Sequence, residues 1–209
     1  MKLNGQAFQD LFAYQITKKR DGTFLEIGSN EPIYCNNTFL LENEFNWKGI
    51  MVEYNSMFYD SYKRLRPNSI HMISDARSVN YREILDNNEF PVNMDYLQID
   101  LDVNNKSTLD VLLLLDNTVF DKYKFATITF EHDIYTGDYF NTREISRKLF
   151  ADRGYVLLFP DVSVFFEGRY CEFEDWYVHP DLVDATIIDK LKSDVQVNCD
   201  EIKARLLNL

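Results

Sequence analysis

The stretch Asp21-Gly-Thr-Phe-Leu-Glu-Ile-Gly-Ser-Asn30 decides how this chain folds. Phe24 to Ile27 form a short apolar run that carries one acid, Glu26, and closes on Gly28. An apolar run of this length, bounded by turn residues, predicts a buried strand over 23–27. Gly28 lets the backbone turn sharply where a side chain would obstruct a ligand. A second strand over 50–53 follows Gly49 and closes on another acid, Glu53. Strand, glycine turn, helix, strand and terminal acid form the pattern of a nucleotide-type cofactor site in a doubly wound α/β fold.

Outward from that stretch, strands and helices alternate. The apolar spacing predicts an N-terminal helix over 6–19 with Phe8, Leu11, Phe12 and Ile16 on one face. Further strands are predicted over 69–73, 94–99, 125–130 and 155–159. The helices between them carry Phe39 to Phe45, span 56–66 (stopped by Pro67) and 78–86, run from Leu109 to Leu115, and span 141–153. Val162 to Phe166 reads as a seventh strand, and a loop after it ends in Phe173-Glu-Asp-Trp-Tyr-Val178. Residues 182–207 read as one or two amphipathic helices, a C-terminal helical extension. Such alternation argues for α/β architecture: a doubly wound, mostly parallel sheet with helices on both faces. Polar residues gather after the strands, at Glu26, Glu53, Asp75, Asp100 and Glu131, where open α/β sheets bind ligands.

The 209 residues suffice for one domain with a substantial core, and no repeat or linker divides them. The net charge of −12 repels phosphate backbones and anionic lipid, so neither nucleic acid nor membrane is an expected partner. No run approaches the roughly 18 apolar residues of a spanning helix, and the first residues lack the apolar core of a signal peptide. A cytoplasmic protein is therefore expected. Cys35, Cys171 and Cys199 are odd in number and widely spaced, which suggests reduced thiols rather than disulfides or a zinc site. Oligomeric state has no signature here.

Beyond the opening stretch, Gly5-Gln6 with Gln9-Asp10, Asn37-Thr38 with Leu41-Glu42, Trp47-Lys-Gly-Ile-Met-Val-Glu53, Asp95-Tyr-Leu-Gln-Ile-Asp-Leu-Asp102, Ile128-Thr-Phe-Glu-His-Asp133, Gly154-Tyr155 and Glu174-Asp-Trp-Tyr177 follow in order. This succession resembles the class I S-adenosylmethionine-dependent methyltransferases, and within them the FkbM family. The resemblance implies a Rossmann-like, seven-stranded sheet with a reversed final strand, S-adenosylmethionine as cofactor, and methyl transfer, commonly to a hydroxyl of a sugar or other small-molecule acceptor. It also implies cofactor contacts at Glu26, Gly28, Ser29, Asn30, Glu53, Asp75, Ala76 and Asp100. Glu31-Pro32 departs from the pattern where a second glycine is frequent, and Val103-Asn104 where glycine often follows.

Each site residue also has a plainer reading. Gly28 is either the place where the methionine part of the cofactor approaches or an ordinary turn. Glu26 either meets the methionine ammonium or caps a helix. Glu53 suits both ribose hydroxyls, against an exposed strand-end acid. Asp75 with Ala76 suits an adenine ring and its amine, against a loop aspartate. Asp100 closes a strand beside the transferred methyl; with Asp102 it also offers oxygens to a hard divalent ion, but two carboxylates are few, and no metal is expected. His132 is the candidate general base, because its pKa lies near neutrality, with Glu131 orienting it or holding the acceptor; a structural histidine is the alternative. Asp102, Tyr135, Arg147 and Trp176 are candidate acceptor contacts, Arg147 through a two-point clamp and Trp176 as an aromatic beside acids. Surface salt bridging and core packing compete with these roles. A methyltransferase-like binding or scaffold module is the rival to an enzyme. A nicotinamide-dependent oxidoreductase is disfavoured, because no Gly-x-Gly-x-x-Gly follows the first strand.

Overall fold

A computed structural model describes residues 2–209. Its first strand, β1 (Thr23–Ile27), is buried at every position, as a strand covered on both faces must be. It lies parallel to β2 (Lys48–Glu53) on one side and to β4 (Asn93–Ile99) on the other. The chain begins with α1 (Gln9–Thr17) and joins β1 to β2 through α2 (Phe39–Phe45). A 3-10 turn over Ser56–Phe58 and α3 (Tyr59–Leu65) lead to β3 (Ile70–Ile73). A second such turn, Ala76–Ser78, and α4 (Tyr81–Asn87) return to β4. Then come α5 (Ser107–Thr118), β5 (Lys124–Glu131), α6 (Phe140–Asp152), β6 (Val156–Phe166) and β7 (Arg169–Val178), followed by α7 (Ala185–Leu191) and α8 (Cys199–Leu207).

The sheet has seven strands in the order β3-β2-β1-β4-β5-β7-β6, with β7 antiparallel to both neighbours. The strand order reverses between β1 and β4, which opens a crevice at their carboxyl ends. This is a Rossmann-like, doubly wound architecture closed at one edge by an antiparallel hairpin.

The last two strands differ from the sequence reading. Val162–Phe166 is no separate strand but the continuation of β6, past register shifts between Leu157 and Ser163 where Asp161 takes φ 49°. The seventh strand is Arg169–Val178, which includes the segment expected to be a loop. Glu172, Glu174 and Asp175 made that segment look solvated, yet Glu174 and Asp175 are buried because each meets a side-chain donor. Glu167 and Gly168, both at positive φ, form the two-residue turn of this hairpin.

Alternation along the strands sorts the core into two layers. Leu25, Ile27, Val52, Leu97, Ile99, Ile128, Phe130 and Tyr177 face Leu85 of α4, Leu112 of α5 and Phe150 of α6. Trp176 and Val178 face Phe12 of α1 and Ile202 of α8, while Phe24, Met51 and Tyr96 meet Leu41 of α2 and Tyr62 of α3.

One buried network fixes the loop after β1. Arg66 is fully buried and donates to Glu42 (Nε to Oε2, 2.9 Å), Asn36 Oδ1 (2.8 Å), Thr38 Oγ1 (2.6 Å) and the Pro32 carbonyl (3.2 Å). Glu42 is completed by Asn68 N–H and the Ser69 hydroxyl. A buried ion pair is tolerated when its remaining donors and acceptors are satisfied, as here. At the Glu31-Pro32 departure the Pro32 carbonyl accepts from Arg66, and the left-handed turn of this loop falls on Asn30 at φ 48°. Asparagine tolerates that conformation better than most side chains.

Candidate functional site

The crevice at the carboxyl edge has two lobes that share Gly28, Glu53, Leu101 and Asp102. One, of about 480 Å³, is lined by Tyr54, Ser74, Asp75, Ala76, Arg77, Asn105 and Ser107. The other, of about 410 Å³, is lined by Glu26, Ser29, Asn37, Gln98, Asp100, Glu131 and Asp133, with Gln6 and Cys35 at its margin. A further hollow at Glu42, Arg66 and Asn68 lies at the amino edge, where Glu42 and Arg66 already satisfy each other.

Gly28 is required by the protein itself as well as by any ligand. At φ 91° its added Cβ would lie 1.7 Å from the Asp100 carbonyl oxygen, so no side chain fits between the ends of β1 and β4. Glu53 stands at the waist between the lobes. Its Oε2 accepts from Asn30 N–H and its Oε1 from Asn55 N–H, both at 2.7 Å. Two backbone donors hold the carboxylate in one orientation and leave lone pairs for hydroxyl donors. Asp75 accepts from Arg77 through both oxygens (3.0 and 2.7 Å) and from the Arg77 N–H; these bonds hold its carboxyl down at about 2. Ala76 is buried beside it.

The second lobe is rich in acceptors and poor in donors. Glu26 is buried; its Oε2 accepts from Asn36 Nδ2 at 3.3 Å, and its Oε1 has no partner among the described residues. Burial pushes its carboxyl up to about 7, against the opposing pull of Arg66 and of its hydrogen bonds. Gln98 faces Glu26 across the β1–β4 ladder; its Nε2 donates to Asp100 at 3.1 Å and its Oε1 is unpartnered. Asn37 Oδ1 is likewise buried and unpartnered. A buried acceptor left alone costs roughly 1–3 kcal/mol, so three in one lobe mark a place where a donor-bearing ligand would be favoured. The Asp100, Glu131 and Asp133 carboxyls crowd together in this lobe. Burial raises all three: Glu131 well above the usual range and Asp133 to about 6, each helped by the Asp100 charge, and Asp100 above its own range, helped by Glu53. Behind them Glu174, paired with Glu131 across β5 and β7, is lifted by burial to about 8 and bonded by Gln9 Nε2 (3.0 Å) and Trp176 Nε1 (2.5 Å).

His132 does not join this lobe. Successive strand residues point to opposite faces, so Glu131 turns toward the crevice and His132 toward α6. His132 is fully buried with its Nε2 3.5 Å from Asp175 and 3.6 Å from Asp161, and neither ring nitrogen has a hydrogen-bond partner among the described residues. Arg147 is there as well: it forks onto Asp175 (2.7 and 2.8 Å) and reaches Asp161 (2.8 Å), which Arg143 also meets at 3.0 Å. Burial alone would raise Asp175; Arg147 and His132 instead hold it well below the ordinary carboxylate range. The expected roles of His132 as base and Arg147 as acceptor clamp are therefore revised to an internal ion network that pins α6 to β6 and β7. His132, Asp161 and Asp175 place ligand atoms within 4.8 Å of one another, but the two arginines already neutralise both carboxylates.

Trp176 is also revised. It is fully buried against Phe12 and Phe159, with its N–H spent on Glu174. Tyr135 is half-buried beside the second core layer and does not line either lobe. Asp102 lines both lobes, and its Oδ1 caps Asn104 N–H at 3.0 Å. The structure thus brings together Glu26, Gly28, Ser29, Asn30, Glu53, Asp100, Asp102 and Glu131, with Asp75 and Ala76 in the adjoining lobe. Sequence reasoning missed Gln98, Asn37, Asp133 and the positioning pair Arg66–Glu42. Strand alternation alone signals Asp133, since Glu131 and Asp133 lie two residues apart; Arg66 carries no local signal.

No family model matches this chain, and no curated protein matches it. Solved structures do. A TehB-like SAM-dependent methyltransferase from Corynebacterium glutamicum aligns with TM-score 0.52 and 10% identity over 82% of this chain and 87% of its own. A precorrin-6y C5,15-methyltransferase from Geobacter metallireducens aligns with TM-score 0.53 and 14% identity over 83% and 88%. A methyltransferase from Pyrococcus furiosus gives TM-score 0.51 and 15% identity over 82% of each chain. At such identities the likeness establishes the fold; the activity has to be argued from the crevice.

Proposed function

We propose that this chain is an S-adenosylmethionine-dependent methyltransferase that acts on a hydroxyl of a small molecule. The two-lobed crevice with Glu53 at its waist carries this reading: its shape suits an adenosine on one side of a ribose and an amino-acid end on the other. The unpartnered acceptors Glu26 Oε1, Asn37 Oδ1 and Gln98 Oε1 fit the ammonium of the methionine end, and the surrounding carboxylates suit a sulfonium charge. Glu53 would accept from the ribose hydroxyls. Ala76 leaves room for the adenine ring, and Asp75 would share its carboxylate between Arg77 and the ring amine. When bound, the cofactor supplies an electrophilic methyl group on a sulfonium sulfur.

The chain's own part is alignment and proton handling. The crevice holds the acceptor oxygen in line and excludes water. Glu131, raised well above the ordinary carboxylate range by burial, takes the hydroxyl proton in its ionised form, with the Asp100 carboxyl beside it. His132 supports this arrangement from the far side of β5 as a positioning residue. The acidic surface favours a small-molecule acceptor over nucleic acid.

Calorimetric titration with S-adenosylhomocysteine beside NAD tests this reading. One saturable site for S-adenosylhomocysteine and none for NAD is expected. No heat from either S-adenosyl compound at millimolar concentration would favour the scaffold alternative instead.

A further inference from the structure

The inner lobe has more carboxylates than the cofactor can use, and the acceptor must meet the remainder. Glu26, Gln98 and Asn37 lie on the cofactor side, next to Gly28 and Ser29. Asp100, Glu131 and Asp133 lie beyond, toward the end of β5. No lysine, arginine or histidine lines this lobe among the described residues. The neighbouring cations are spent or distant. Arg77 in the adenosine lobe forks onto Asp75, Arg143 and Arg147 lie on the α6 face against Asp161 and Asp175, and Arg169 sits on the exposed hairpin near Tyr135. The three buried acceptors without partners lie at the cofactor end of the same lobe, so the lobe as a whole is short of donors.

From this imbalance, and resting on the methyltransferase reading, we propose that the acceptor is a cation: a small hydroxylated molecule carrying a protonated amine, seated with its ammonium against Asp133 and its hydroxyl against Glu131. An ammonium brings three donors and a positive charge to carboxylates that otherwise face only one another. An acidic acceptor would be repelled, and a neutral one would leave the charge on Asp133 unanswered. At neutral pH Asp133 is mostly ionised, because burial and Asp100 raise its carboxyl only to about 6. A divalent metal fits less well. The one group of three ligand residues whose atoms converge within 4.8 Å among the described residues is His132, Asp161 and Asp175, on the other face of the sheet.

The overall reaction balances within this arrangement. The acceptor hydroxyl gives its proton to the Glu131 carboxylate, the oxygen forms a bond to the methyl carbon, and the sulfur–methyl bond breaks with its electron pair staying on sulfur. The products are the O-methylated ammonium compound, S-adenosylhomocysteine and a proton that leaves from Glu131 to solvent.

The test uses the full chain saturated with S-adenosylhomocysteine, at pH 7.5 in the presence of EDTA. Glucosamine, its neutral counterpart N-acetylglucosamine, glucuronate and, in separate EDTA-free samples, Mg²⁺ are titrated by calorimetry and ligand-observed NMR. Glucosamine is expected to bind saturably and at least tenfold more tightly than N-acetylglucosamine, with no binding of glucuronate. Asp133→Asn should abolish that preference; asparagine accepts the φ of 48° at this position, so the fold is retained. Asp194→Asn, an exposed charge change elsewhere, should leave the preference intact. Equal binding of the two sugars, no binding of glucosamine, persistence of the preference in Asp133→Asn, or displacement of glucosamine by Mg²⁺ would each overturn the proposal. Failure of S-adenosylhomocysteine itself to bind would overturn the methyltransferase reading with it, whereas its binding without glucosamine overturns only the ammonium acceptor.

Discussion

Replacing Glu26 by glutamine should change how stability depends on pH. In the folded chain burial raises this carboxyl from 4.5 to about 7, whereas in the unfolded chain it ionises near its ordinary value. The folded state therefore holds a proton that the unfolded state has already lost between those two values. Its stabilising effect is complete below about pH 4.5 and lost as pH rises through about 7. Each unit of difference is about 1.4 kcal/mol, so between pH 5 and pH 8 this one group should remove about 2–3 kcal/mol of stability. Glu26 is 1% exposed, so solvent screening does not erode that figure. Urea unfolding of the ligand-free protein at pH 5, 6, 7 and 8 reads it directly. Wild type should lose about 2–3 kcal/mol more than Glu26→Gln across the range. Parallel pH profiles for the two proteins would refute the reasoning, because Glu26 would then ionise alike in both states.

Other outcomes follow from named contacts. Cys35 is exposed at the mouth of the inner lobe, while Cys171 and Cys199 are buried and burial lifts the Cys199 thiol to about 11. Iodoacetamide should alkylate Cys35 first, and S-adenosylhomocysteine at ten times its Kd should slow that reaction roughly tenfold; an unprotected Cys35 contradicts the placement. Arg66→Met leaves Glu42 buried without its charged partner and should cost about 3–5 kcal/mol, a fall in Tm of about 10 °C, measurable by scanning calorimetry. His132→Gln should lower Tm while leaving the pH dependence of any methyl transfer unchanged; loss of the acidic limb would return the base to His132.

The parallel half of the fold was legible in the sequence because its strands are continuous apolar runs that end on acids or glycine. The final hairpin was not. Glu174 and Asp175 look like loop residues until Gln9, Trp176 and Arg147 arrive from distant segments to bury them. The same holds for the site. Glu26, Glu53 and Asp100 announce themselves at strand ends, and the structure sets them around one crevice. His132 attracted attention as a chemical type, but the two-residue period of β5 places its neighbours Glu131 and Asp133 in the crevice and sends it to the opposite face. Arg66 shows the remaining kind of gap. It organises the loop that carries Asn30 and Asn36, yet its partners lie more than twenty residues away along the chain, and no local pattern marks it.

The most direct measurement is the affinity of S-adenosylhomocysteine for wild type and for Glu53→Ala. In the proposed complex two charge-assisted bonds from the ribose would converge on this carboxylate, and losing such a contact costs about 1.5–3 kcal/mol. Saturable binding to wild type, weakened roughly 10- to 100-fold in Glu53→Ala with Tm little changed, is the expected result. Equal affinity in the two proteins, or no binding to wild type, would contradict a cofactor crevice centred on Glu53.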